Sequence, residues 1–389
     1  MKRAAGAPRS KGRSRAKPAP RAAHAFHDLQ AGYRANATRI LSAVRRVLES
    51  GRYILGPEVE AFEAGLARYL GVPHVVGTGS GTDALELVLR ALDVGPGDEV
   101  VVPALTAAPT AMAVCAVGAR PVLVDIDPAT YTMAPGALRK ALGERTRAVI
   151  PVHLYGQCAD MEAIAAAIGE RDVAIIEDAA QAHGARDRGR LAGSIGRAGC
   201  FSFYPTKNLG AVGDAGAIAT RDAALAQRLR SLRSYGQAAG YDFLEPGRNA
   251  RLDELHAAVL HVKLRSLDRV NARRRRHAAR YRAGVRSPSI VLPRERPDAL
   301  HVYHQFVVRS PERDRLRAHL AAHGIETLVH YPRALHQMRA FVGRARSVER
   351  PIEAERAVAE ILSLPIYPEL PPRTLTATIE ALNGFASER

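Results

Sequence analysis

Cys200-Phe201-Ser202-Phe203-Tyr204-Pro205-Thr206-Lys207-Asn208-Leu209-Gly210 is the stretch from which the fold is read. A short apolar run ends in small and polar residues and delivers a lysine amine. Upstream stands Glu177-Asp178-Ala179-Ala180-Gln181, at the end of another apolar run. A lysine amine can hold a carbonyl compound as a Schiff base, and an aspartate can pair with a pyridine nitrogen. That pairing is how proteins hold and tune pyridoxal phosphate. Most lysines are solvated surface residues, so the neighbours carry the reading rather than the lysine alone.

Working outward, the chain repeats a pattern of apolar strand, Gly- or Asp-containing turn, then helix. Strands are expected at 75–76, 99–102, Arg120–Val124, 146–152, 173–177, 200–202 and Gly216–Thr220. Several are short Val- and Ile-rich runs, as in strands buried on both faces of a parallel sheet. Helices are expected at 38–50, 58–70, 83–92, 106–117, 135–142 and 160–169. A long helix at 251–267 continues through Arg282 into a C-terminal α+β unit with a strand at 302–309 and a helix at 314–323. The fold class is therefore α/β: a large unit, 25–268, around a mostly parallel seven-stranded sheet, and a smaller unit, 269–389.

In such sheets ligands bind at the carboxyl ends of strands, and phosphates favour helix N-termini. Thr78-Gly79-Ser80-Gly81-Thr82-Asp83 fits that placement, with glycines that permit close backbone approach and two hydroxyls. It is no Walker A loop, since no Gly-Lys-Ser/Thr follows; an ordinary capped helix start is the plainer alternative. Asp178 follows its strand, so its carboxylate emerges at the same edge, although it could equally cap the next helix. Gln181 lies about one turn on. His153, His183, His256 and His330 show no metal-ligand spacing, and no metal is assigned.

Composition narrows the class. Apolar residues make up 47% of the 389, ample for a large core. No apolar run reaches the roughly 18 residues of a membrane helix, so a soluble protein is expected. Cys115, Cys158 and Cys200 show neither metal nor disulfide spacing, which fits a reducing cytoplasm. The net charge is +17; residues 1–24 carry +8 without one acid, leaving +9 elsewhere. That segment is Ala/Pro/Arg-rich and reads as a disordered tail. Nucleic acid is not expected as a partner, because basic tails are commonly just solvated. The Arg273–Arg276 run reads as a solvated helix face, and the remaining positive charge suits a polyphosphate-bearing substrate.

Taken together, these segments resemble the sugar aminotransferases of the DegT/DnrJ/StrS family, fold-type-I enzymes dependent on pyridoxal phosphate. The resemblance spans about 26–385. It rests on Leu55-Gly56-Pro57-Glu58, Gly79-Ser80-Gly81-Thr82-Asp83, Pro151-Val152-His153-Leu154-Tyr155-Gly156, Glu177-Asp178-Ala179-Ala180-Gln181-Ala182-His183-Gly184, and the Lys207 segment. Downstream it includes Gly247-Arg248-Asn249-Ala250-Arg251-Leu252-Asp253-Glu254, His330-Tyr331-Pro332 and Leu362-Ser363-Leu364-Pro365. It implies that Lys207 holds pyridoxal phosphate as the internal aldimine, Asp178 pairs with the ring nitrogen and Gln181 meets the ring oxygen. Gly81, Thr82 and Ser202 would bind the phosphate, with Asn249 reaching the partner subunit's site in a homodimer. Tyr235, Arg251, His330 and Tyr331 fall at positions that resemble sugar-nucleotide contacts.

The implied reaction moves an amino group from L-glutamate, through pyridoxamine phosphate, to a keto sugar nucleotide. The forms of the Lys207 and Asp178 motifs look most like the subgroup acting on 3-keto sugars, so a 3-keto-deoxyhexose is expected, for polysaccharide or secondary-metabolite synthesis. A 4-keto sugar is the alternative, and a non-enzymatic binding protein acting through the basic tail is the second. The dehydratase branch replaces the lysine with histidine, and Lys207 argues against it. Three departures stand out: Thr106 is followed by Ala107, where the family has a ring-stacking aromatic; Gly213-Asp214-Ala215-Gly216 has alanine where glycine is common; and His256 replaces glutamine.

Overall fold

The computed structural model describes residues 23–386. The basic tail therefore lies outside the described residues, except for Ala23 and His24. His24 donates its N–H to the Gly324 carbonyl (3.0 Å) and belongs to the folded body.

All seven expected strands form, and Arg346–Ser347 adds an eighth at one edge. The order across the sheet is His74–Thr78, Gly216–Thr220, Ala198–Ser202, Ala174–Asp178, Thr146–Val149, Glu99–Pro103, Arg120–Val124, Arg346–Ser347. Only Gly216–Thr220 runs against the rest, pairing antiparallel with both neighbours. The central strands are buried on both faces, which is why they are runs of Val and Ile without polar alternation. Helices cover both faces, among them Gly81–Ala91 and Ala108–Ala116 on the Val76–Leu123 core and Pro135–Ala141 and Met161–Ile168 on the other side.

The strand expected at 146–152 ends at Val149, because Pro151 has no N–H for the ladder. The long helix expected from 251 is two. Glu254–Leu264 starts later, since Arg251 and Asp253 are held in bridges to Thr78 and Ile54. It stops where the Ser266 hydroxyl and N–H both turn back to the Lys263 carbonyl, at 3.0 Å each. Leu267–Gly284 then begins afresh.

The basic run on that helix is not wholly solvated. Arg274 is 1% exposed, and its Nη1 donates to the carbonyls of Tyr303, His304 and Ile366. A guanidinium with many donors can satisfy several chain carbonyls at once, so the charge closes a backbone junction rather than facing water. Around it, Phe306–Arg309 pairs antiparallel with Ile361–Leu364, backed by Arg313–Ala322 and Pro372–Asn383. Leu335, Phe341 and Ala354 meanwhile join the core of the large sheet.

Candidate active site

Strand direction gathers the site. Asp178 and Ser202 end two neighbouring parallel strands, and Thr78 ends a strand of the same direction, so all three emerge at one edge. The helix Gly81–Ala91 starts there. Ser80 caps it, accepting from the Asp83 N–H at 3.0 Å, while helix geometry leaves the N–H groups of Gly81 and Thr82 without intrahelical partners. A Cβ on Gly81 would lie 2.7 Å from the Ser202 Cβ. Glycine is therefore required for the helix start to press against the Ser202 strand end, which concentrates N–H and hydroxyl donors in one cradle. A phosphate fits that cradle.

Asp178 is buried. Its Oδ2 accepts the Thr110 hydroxyl at 2.8 Å and its Oδ1 accepts the Ala180 N–H at 3.2 Å. No helix follows it, so the capping alternative does not apply. Burial pushes its carboxyl up from the usual range; the two hydrogen bonds and the Lys207 charge oppose that. Each oxygen has two lone pairs, so room remains for a pyridinium N–H.

Lys207 sits in a loop that returns on itself: its N–H donates to Tyr204 O at 2.8 Å, and Ala211 N–H to Phe203 O at 2.7 Å. Burial pulls the ammonium down to about 8, opposed by Asp178. The same ammonium bears on His183 and His330, which burial first, and Lys207 second, draw down to about 3 and about 4. Lys207 thus stands among Asp178, His183 and His330 in a poorly hydrated pocket, where a neutral amine is accessible.

Gln181 is fixed at both ends. Its Oε1 accepts the Tyr155 N–H at 2.8 Å, and its Nε2 donates to the Tyr331 hydroxyl at 3.0 Å. Tyr155 in turn donates its hydroxyl to the His330 carbonyl, and His330 Nδ1 pairs with Ser363 Oγ at 2.9 Å. Behind this layer Glu177 accepts from Gly193, Ile195 and Gly196 N–H groups. His153 Nδ1 accepts the Ala159 N–H, so Nε2 bears the proton and donates to Glu177 at 2.9 Å. This frame braces the strand end that presents Asp178.

The expected sites fall into two groups. Lys207, Asp178, Gln181, His330 and Tyr331 come together in the interior, with Gly81, Thr82 and Ser202 along the same edge. Tyr235, Asn249 and Arg251 occupy an outer segment. The Arg251 guanidinium lies 5.4 Å from the Tyr235 ring centroid, Asn249 is exposed, and the Ala250 carbonyl accepts from Gly79 N–H at 2.9 Å. Ala107 caps the helix Ala108–Ala116 and brings no ring to the site. Thr110 escaped the sequence reading; its signal is the Thr106/Thr110 spacing of one helical turn. Among the described residues no cluster suits a metal ion.

The residues present thus fit a phosphorylated pyridine aldehyde: an amine, a carboxylate, an amide and a donor-lined cradle on one edge. The comparisons agree. The DegT/DnrJ/EryC1/StrS aminotransferase family matches residues 35–383. The chain is 47% identical over 362 residues to dTDP-3-amino-3,4,6-trideoxy-alpha-D-glucose transaminase of Streptomyces venezuelae, covering 93% of this chain and 96% of that protein. It is 43% identical over 343 residues to UDP-N-acetyl-3-dehydro-alpha-D-glucosamine 3-aminotransferase of Acidithiobacillus ferrooxidans, covering 88% and 92%. Among solved structures, S. venezuelae DesV in complex with a ketimine intermediate superposes with a TM-score of 0.90 at 47% identity, covering 92% of this chain and 97% of that one. NtdA of Bacillus subtilis with bound PMP gives a TM-score of 0.86 at 31% identity, covering 94% and 86%. The chain belongs to the DegT/DnrJ/EryC1/StrS aminotransferase family. It is an aminotransferase of the fold-type-I α/β class, and its cofactor is pyridoxal phosphate.

Proposed function

We propose that this DegT/DnrJ/EryC1/StrS aminotransferase moves an amino group from L-glutamate to a 3-keto sugar nucleotide. The observation that carries the chemistry is the placement of the Lys207 loop at the strand edge where Asp178 is held by Thr110 and Ala180; burial draws the Lys207 amine down to about 8. The sugar reading rests on the relatives, whose names place the transferred nitrogen at carbon 3.

When bound, pyridoxal phosphate supplies a carbonyl for the donor's nitrogen and an electron sink for the bond broken at the donor's α-carbon. Gly81, Thr82 and Ser202 hold the phosphate. Asp178 keeps a proton at the ring nitrogen, and Gln181 orients the ring through its oxygen. Lys207 would hold the cofactor, and its amine, when free and neutral, would serve as the base that takes the proton from the donor's α-carbon and as the acid that gives a proton to the sugar's carbon in the opposite half. His330, Tyr331, Tyr235 and Arg251 face the sugar nucleotide.

Asn249 is exposed here, and we assign it to the partner subunit's phosphate site in a homodimer. Cys115, Cys158 and Cys200 are all free thiols, in keeping with a cytoplasmic setting. Among the described residues no helix is long and apolar enough to cross a membrane. The test is incubation with L-glutamate and a panel of 3-keto and 4-keto sugar nucleotides, followed by mass analysis. Amination of a 3-keto compound with release of 2-oxoglutarate is expected. Amination confined to 4-keto compounds overturns the positional reading, and none at all overturns the sugar reading.

A further inference from the structure

We propose that Thr110, supported by Thr106, is a positioning residue that keeps Asp178 ionised and aimed at the cofactor's ring nitrogen. The inference rests on the cofactor-site reading above and goes beyond it by assigning a role to the hydroxyls of Thr106 and Thr110.

Both threonines are 1% exposed, so neither hydroxyl can use bulk water. Thr110 lies in the first turn of Ala108–Ala116. A threonine inside a helix ordinarily turns its hydroxyl to the carbonyl of the preceding turn. Here Thr110 Oγ1 is instead 2.8 Å from Asp178 Oδ2, on another strand. An ionised carboxylate only accepts, so the Thr110 proton points to Asp178. The second contact of Thr110 is with Thr106 Oγ1, at 3.0 Å. With its own proton committed, Thr110 must accept there, and Thr106 donates. The chain of donors therefore runs in one direction, Thr106 to Thr110 to Asp178, and polarises the last bond toward the carboxylate.

Burial alone favours the neutral acid at Asp178. A carboxylic acid would share its proton with a neutral pyridine nitrogen and weaken the electron sink. The titratable groups facing Asp178 are Lys207, His153, Tyr331 and Cys200. Lys207 is not a constant partner for the carboxylate, since its charge changes through the reaction and its amine is neutral while it acts as a base. The Ala180 N–H bond is longer, at 3.2 Å. The Thr110 hydroxyl is the short, constant donor that does not change through the reaction.

The experiment uses full-length enzyme loaded with pyridoxal phosphate labelled at the ring nitrogen. Hydrogen bonds to charged groups are the stronger kind, so Thr110→Val should lower kcat on the order of ten- to a hundred-fold, with the KM for the sugar nucleotide little changed. The ring-nitrogen resonance should move from the protonated toward the unprotonated position at neutral pH. Thr110→Ser should restore both readouts. Thr106→Val, which leaves Thr110 in place, should move the same resonance in the same direction by a smaller amount. A wild-type resonance and wild-type kcat in a folded Thr110→Val enzyme overturn the proposal. If that variant does not fold, an unmoved resonance in Thr106→Val overturns it instead. Failure of the wild-type enzyme to attach the cofactor at Lys207 is a separate result, which removes the underlying site reading and this proposal with it.

Discussion

The interior strand ends and the outer segment from Tyr235 to Arg251 are built on opposite terms. At the strand ends Asp178 and Gln181 are buried and tied down: Asp178 by Thr110 and Ala180, Gln181 by Tyr155 and Tyr331. On the outer segment Asn249 is exposed, Tyr235 is 46% exposed, and Arg251 leans on the Tyr235 ring. Proton transfer needs groups fixed in a dry place, where a lysine amine can be neutral at working pH. Recognition of a large substrate, or of a second subunit, needs groups that remain accessible. The proposed roles therefore place the chemistry at the sheet, and selection in what is laid over its edge.

Changes at the interior should be the most damaging. Asp178→Asn removes the counter-charge at the ring nitrogen while keeping shape. Loss of a buried electrostatic partner of this kind should cost on the order of 10²–10³-fold in kcat, checked by steady-state turnover. Gly81→Val should act on cofactor holding instead, because its Cβ would meet the Ser202 Cβ at 2.7 Å. Overpacking of roughly 1–3 kcal/mol predicts about a five- to 150-fold weaker cofactor affinity, readable by fluorescence titration.

Lys207 supplies a test of sign. Its folded-state value, about 8, lies below the usual 10.5. Above pH 8 the unfolded chain binds more protons than the folded one, so this site's contribution to the stability of the cofactor-free protein rises between about pH 8 and 10.5 and is least favourable below 8. Lys207→Met, which has no charge to desolvate, should abolish turnover yet stabilise the cofactor-free protein at pH 7 by up to roughly 3 kcal/mol. Denaturant unfolding at several pH values checks both parts; equal stability at pH 7 would contradict the burial account.

The outer segment should give the smallest effects and a different kind. Arg251→Ala removes a cation–π contact with the 46%-exposed Tyr235 ring, worth about 0.5–1 kcal/mol, and the charge proposed to meet the substrate. The expected result is a several-fold rise in the KM for the sugar nucleotide, with cofactor absorbance unchanged. A fall in kcat alone would erase the division between the two regions.

This division also explains what the sequence disclosed. The gathering of Lys207, Asp178 and Gln181 was legible because the chemistry proposed for them demands particular residue types within short contiguous motifs at strand ends. The sheet was legible because strands buried on both faces must be continuously apolar. Thr110 was not: its partner lies 68 residues away, and a threonine early in a helix is unremarkable on its own. Arg274 misled for a related reason, since a basic run looks solvated until the carbonyls of Tyr303, His304 and Ile366 are brought to it. The helix break at Ser266 depends on one hydroxyl choosing a carbonyl, which no periodicity reports. Asn249 was legible only through the family resemblance, because its proposed partner atoms lie on another copy of the chain.

Lys207, at the sheet's carboxyl edge, is the one lysine proposed to hold the cofactor. Borohydride reduction of the loaded enzyme fixes pyridoxal phosphate to whichever amine holds it, and proteolysis with mass spectrometry locates that amine. A single modified peptide is expected, the one containing Lys207, and none in Lys207→Ala. A label on Lys263 or any other lysine, with Lys207 unmodified, would contradict it.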